Sequence, residues 1–141
     1  ARTAHRNGVY RRPLPVLPAT FTTLAAIMIS LARLVSEKRA EQGLKRQVIA
    51  ALSTIYDPEL PVNIYDLGLI YDLDVDADGR VDIRMTLTAP GCPVAQTFPT
   101  QVEQAVAEVK GVASAHVEIV WDPPWDQSRM TEAARLQLGL V

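Results

Sequence analysis

Hydrophobic positions repeat along this chain with two different periods, and the changes of period mark its elements. From Thr20 onward Leu24, Ile27, Met28, Leu31, Leu34 and Val35 recur three or four residues apart, which predicts a helix with Arg33, Lys38 and Glu41 beyond its apolar face. Leu44, Val48, Ala51, Leu52 and Ile55 keep helical spacing, and Pro58, which disfavours helix at Asp57, sets a limit to that run. The period then falls to two. Leu69, Tyr71, Leu73 and Val75 alternate with Ile70, Asp72, Asp74 and Asp76; Asp78-Gly79 turns the chain; and Val81, Ile83, Met85 and Leu87 alternate with Asp82, Arg84, Thr86 and Thr88. This is a β-hairpin with one buried and one wet face, and it puts Thr86 and Thr88 together on the wet side.

Helical spacing returns with Val102, Ala105, Val106 and Val109 up to Gly111, with Pro99 kinking or restarting that helix. A third strand carries Ala115, Val117, Ile119 and Trp121 toward the core, opposite His116 and Glu118. A last helix, capped near Ser128 or Thr131, has Ala134, Leu136 and Leu138 among its apolar positions. The order helix-hairpin-helix-strand-helix predicts a two-layer α+β domain, a small mixed three-stranded sheet with helices on one face.

Residues 1–18 are Arg-rich, contain Pro13, Pro15 and Pro18, and show no apolar period, so they read as a disordered or vector-derived basic tail. Residues 19–42 read as an amphipathic helical extension that packs on the domain, forms a dimer seam, or serves in targeting. Basic residues ahead of an apolar run suit a targeting segment, but Leu24–Ile29 is short and no small-residue cleavage site follows. It is also too short for a membrane span, which needs about 20 apolar residues. The domain proper is read as 43–141.

Composition adds constraints. With 48% hydrophobic residues the chain has enough apolar side chains for one core. The net charge of −2 conceals a division: residues 1–42 carry a net +5 and the remainder a net −7. An acidic domain disfavours nucleic acid, whose phosphates select Lys and Arg surfaces. A single cysteine excludes an internal disulfide and a self-contained four-thiolate cluster or structural zinc site. The expected compartment is reducing, the cytoplasm. No Gly-rich phosphate loop ending in Gly-Lys-Ser/Thr occurs, so no nucleotide cofactor is expected.

The chemistry concentrates in two stretches. Thr86-Leu87-Thr88-Ala89-Pro90-Gly91-Cys92-Pro93 ends a strand, turns, and presents the only thiol before a proline suited to the first turn of a helix. A helix start offers unpaired N–H groups and the positive end of the backbone dipole, which favour thiolate at Cys92; a buried packing cysteine is the bland alternative. Asp57-Pro58-Glu59-Leu60-Pro61-Val62-Asn63-Ile64-Tyr65-Asp66-Leu67-Gly68 forms a stiff acidic loop. Placed just past a helix C-terminus, Asp57 would sit against the dipole, a mild sign of function, with turn formation as the cheaper explanation.

Together with Asp122-Pro123-Pro124-Trp125, Met130-Thr131-Glu132-Ala133-Ala134-Arg135 and Leu138-Gly139, these stretches resemble the SufT/PaaD-like family of iron–sulfur cluster maturation domains, in order from about Leu44 to the C-terminus. The resemblance implies an adaptor or transient carrier that helps deliver clusters to client proteins, with Asp57, Glu59, Thr88 and Cys92 as the functional positions. Cys92 would be a transient ligand to iron or a cluster, Asp57 or Glu59 a hard oxygen ligand or proton acceptor, and Thr88 a hydrogen-bonding support. Ala89 stands where some relatives have a second Thr, a departure from the family pattern that counts against any role needing two adjacent hydroxyls. Implied partners are cluster scaffolds and client proteins, with no nucleic acid and no membrane; a homodimer is a further expectation, because pairing two Cys92 thiols would ease cluster sharing.

Two other readings compete. PaaD-type relatives support a ring-epoxidising oxygenase of the phenylacetate pathway and usually carry a cysteine-bearing C-terminal extension, which is not found before this sequence stops at Val141; the expectation therefore turns to the SufT side. A thiol enzyme with Cys92 as nucleophile needs a base, and His116 is the weak candidate, more simply read as a solvated partner of Glu118.

Overall fold

A helix persists until something else takes its last carbonyls, and at the end of α1 (Ala19–Leu52) two hydroxyls do so. Ser53 Oγ donates to Ile49 O at 2.9 Å and Thr54 Oγ1 to Ala51 O at 2.6 Å, which closes the last turn well before Pro58. The structure, a computed structural model, describes residues 19–141, with side-chain environments from Thr23 onward. The basic tail 1–18 and His5 lie outside the described residues. Gly43 falls inside α1, and the helix passes through it uninterrupted. Among the described residues the chain divides after Leu34 into two units, the second being Val35–Val141.

Within the second unit the hairpin forms as the alternation requires: β1 (Ile70–Val75) pairs antiparallel with β2 (Arg80–Met85). Asp76 Oδ1 accepts the amides of Asp78 and Arg80, and Gly79 turns at φ +83°, where a Cβ would stand 2.3 Å from Gly111 O. After α2 (Phe98–Ala107), β3 (Ser114–Ile119) lies parallel to β2, giving the order β1-β2-β3 in a mixed sheet. Val81, Ile83 and Met85 face inward while Arg80, Asp82 and Arg84 face water. The core closes over that inner face with Val48 and Leu52 of α1 and Phe98, Val102 and Val106 of α2. The expected α+β architecture, helices on one face of a three-stranded mixed sheet, is the observed one. A short α3 (Glu132–Gln137) ends the chain, its first turn capped by Thr131 Oγ1 on Ala134 N.

Four side chains depart from the sequence reading. Alternation puts Thr86 on the wet face, yet it is 1% exposed, because the strand ends at Met85 and the alternation stops there. Its amide instead donates to Leu69 O at 2.8 Å. Trp121 lies beyond the end of β3 and is 42% exposed, so it is no core residue, and Leu136 is exposed on α3. His116 pairs through Nδ1 with Glu103 Oε1 of α2 at 3.4 Å, while Glu118 bridges to Arg84. Pro99 restarts the helix: a 3₁₀ turn, Pro93–Gln96, precedes α2.

Candidate functional site

The loop from Ser53 to Leu69 is built as a rigid body rather than a flexible connection. Tyr56 and Asn63 form an antiparallel bridge, Asp57 N donates to Val62 O at 3.1 Å, and Ile64 N to Ile55 O at 2.9 Å. Val62, Ile64, Leu67 and Leu69 are fully buried and root the loop in the core. Asp57, 7% exposed, accepts the amides of Glu59 (2.8 Å) and Leu60 (2.9 Å) on Oδ2. It sits five residues past the last residue of α1, so the expected conflict with the helix dipole is absent and the carboxylate is a turn former. These bonds engage one of its two oxygens.

The second half of the site is fixed by the bond from Thr86 N to Leu69 O, which holds the exit of β2 beside the end of the loop. From there Leu87 turns inward, and Gly91 at φ +83° brings Cys92 round to the start of the 3₁₀ turn. Asp57, Pro58, Glu59, Leu87, Thr88, Ala89, Cys92 and Val94 line one small, narrow cleft. Thr88 Oγ1 donates to Glu59 Oε2 across it at 3.4 Å. All four residues singled out from the sequence thus meet in one place, and Ala89 adds a methyl to the lining.

Cys92 is half-buried and free, and its side chain makes no capping bond. The helix behind it is shorter than expected, a four-residue 3₁₀ turn in place of a full α-helical start, so it adds only one turn of aligned peptides. His116, engaged by Glu103, is not among the residues of the cleft. Among the described residues no group of three His, Cys, Asp or Glu side chains is arranged to hold a metal ion.

Sequence reasoning misses what supports the loop from behind. Asn63 Nδ2 donates to Asp66 Oδ2 at 2.7 Å and Asp66 N to Asn63 Oδ1 at 2.8 Å, a reciprocal pair. Thr131 N then donates to Asp66 O at 2.9 Å, Trp125 Nε1 to Leu67 O at 2.7 Å, and Gln137 Nε2 to Pro61 O at 2.7 Å. The Asp122-Pro123-Pro124-Trp125 and Met130-Thr131 motifs therefore brace the acidic loop, and Trp125 spends its indole N–H inside the molecule. The Asn-x-x-Asp spacing is the available signal, since such side chains close turns on neighbouring amides.

Residues 45–119 match the family model described as iron–sulfur cluster assembly protein. The chain belongs to that family. Among its relatives an Fe-S protein maturation auxiliary factor of Porphyromonas gingivalis is 46% identical over 97 residues, which is 69% of this chain and 92% of the relative. The Fe-S protein maturation auxiliary factor YitW of Bacillus subtilis is 44% identical over 100 residues, 71% of this chain and 98% of the relative. A crystal structure of a domain of unknown function from Bacillus anthracis superposes with a TM-score of 0.68 at 34% identity, over 74% of this chain and 99% of that one. In this iron–sulfur assembly family member, the matched span 45–119 includes every residue of the cleft.

Proposed function

We propose that this protein is a SufT-type maturation factor, an adaptor or transient carrier that helps pass iron–sulfur clusters to client proteins. The observation that carries the reading is the meeting of Cys92 with Asp57, Glu59 and Thr88 in a single cleft, in a chain whose relatives are named as maturation factors. The cluster is cargo. On arrival the Cys92 thiol gives its proton to the exposed carboxylate of Glu59 or to water, and its sulfur replaces one ligand of the scaffold on one iron, that ligand staying with the scaffold; on release a ligand of the client replaces the sulfur, which takes a proton back. Thr88 holds Glu59 beside the thiol, and Asp57 keeps the loop in shape while leaving one oxygen for a hard contact. One soft donor with carboxylate neighbours is a set that lets go, which a four-thiolate cage would not.

The working domain in this reading is 43–141, with 19–42 and 1–18 outside it. Its partners are cluster scaffolds and apo-clients, and its place is the cytoplasm, where a lone thiol stays reduced. Among the described residues no helix is long and apolar enough to cross a membrane. The test is aconitase activity in cells lacking the protein, complemented at equal protein level with wild type or Cys92→Ser. Restoration by wild type alone supports delivery through the thiol. Restoration by both moves the work to Asp57, Glu59 and an adaptor surface, and no defect in the deletion strain removes the reading.

A further inference from the structure

The cleft brings its side chains together and leaves almost no room between them. The space it encloses is about 10 Å³, what a single water molecule needs. Pro58, Leu87, Ala89 and Val94 give it apolar walls. Widening it would break several hydrogen bonds at once. Asp57 Oδ2 accepts the amides of Glu59 and Leu60, Asp57 N donates to Val62 O, and Gln137 Nε2 donates to Pro61 O, so the acidic loop is tied from both sides. Thr88 and Glu59 span the gap themselves. A cubane of four irons and four sulfides cannot enter a space that takes one water.

Cys92 is reached from the other side. It is half-buried on a turn whose neighbouring residues Ala89, Pro90, Gly91 and Pro93 are exposed, and a Cβ added at Gly91 would meet nothing within 4 Å. A cluster arriving there finds one soft donor, because the chain has one cysteine and His116 is engaged by Glu103 outside the cleft. A second copy of the chain would add only one more thiol.

We infer that the cluster is held across an interface: Cys92 takes one iron at the mouth of the cleft, and the docked partner keeps the other three irons on thiolates of its own. This rests on the delivery reading above and names the partner by its chemistry, a protein with three cysteine ligands on a [4Fe–4S] cluster and one iron open to exchange. The proton of the Cys92 thiol passes, through Glu59 or water, to the thiolate that the sulfur displaces, and no iron changes oxidation state. The cluster thus moves between partners without ever being caged by this chain.

The probe is a synthetic peptide with three cysteines, loaded anaerobically with a [4Fe–4S] cluster whose fourth iron carries 2-mercaptoethanol. Wild type is expected to bind it one to one and release the mercaptoethanol. Cys92→Ser should bind about tenfold or more weakly, with circular dichroism showing both proteins folded. Wild type incubated alone with ferrous iron and sulfide should retain no cluster on gel filtration. About four irons per chain at the monomer mass of 15.5 kDa would mean that the cleft opens and this chain holds a cluster by itself, which overturns the inference. One cluster per two chains overturns it too and puts a second copy in the partner's place. Equal binding of the probe by wild type and Cys92→Ser overturns it as well. None of these results decides delivery, which aconitase complementation reads separately, so the inference and the reading it rests on fail by different measurements.

Discussion

Asp57 and Glu59 look alike in the sequence, two acids flanking Pro58, and the structure separates them. Asp57 is buried and takes two backbone amides on one oxygen; Glu59 is exposed and receives only the Thr88 hydroxyl at 3.4 Å. Removing a buried acceptor strands its donors, at about 1–3 kcal/mol for such a group. Asp57→Ala should therefore lower stability by about 2 kcal/mol in urea unfolding, while Glu59→Gln should leave the urea midpoint unchanged and act only on cluster delivery. An unchanged midpoint for Asp57→Ala would remove its role as turn former. These four residues were legible in the sequence because they are carried by short motifs with stiff backbones. Which of the two acids is structural was not, because that depends on Val62 folding back to meet Asp57 N, a contact set by the buried side chains of the loop rather than by local spacing.

The elements show the same division between local and distant information. Alternation found the hairpin, and it failed one residue beyond β2, where Thr86 is held by Leu69 across the sheet margin. The bracing of the acidic loop by the C-terminal segment joins residues more than 50 positions apart, which no period records. Gly68 marks its tightest point: φ is +74°, and a Cβ there would lie 2.2 Å from Arg129 O. Gly68→Ala should cost several kcal/mol, by positive-φ strain and by pushing the brace off the loop, and it should lower aconitase complementation through loss of folded protein. Trp125→Phe keeps the ring but strands Leu67 O, so thermal unfolding should report a smaller loss of about 1 kcal/mol. The 3₁₀ turn Gln127–Arg129 that leads into the brace is capped by Asp126, which accepts both the hydroxyl and the amide of Ser128. Those bonds, side chain first, hold the Asp126 carboxyl below its ordinary 3.8. A depressed carboxylate stabilises the fold above its unfolded value and loses that contribution as pH falls through the folded one. Ser128→Ala should thus raise the Asp126 pKa in an NMR titration, and reduce stability at neutral pH more than in acid.

At the scale of the whole molecule, the buried core draws on only the last turns of α1 and the chain that follows it. Among the described residues every buried core residue lies at or beyond Val48, and the partly buried ones that pack against it begin at Leu44. The helix period runs on from Leu24 through Ile55 with no change where burial begins; that boundary depends on which turns of α1 meet the sheet, and spacing along one helix does not carry it. Deleting residues 1–34 should then leave the thermal midpoint of the domain within about 2 °C of the full chain, because no buried apolar area is lost. A drop of about ten degrees or more would mean that the N-terminal unit supports the core after all. The same deletion removes the whole basic excess of the N-terminal region, leaving a more acidic protein. It should still restore aconitase, because every residue that lines the cleft lies between Asp57 and Val94. Loss of aconitase with an intact thermal midpoint would instead place the N-terminal segment among the working parts of the protein.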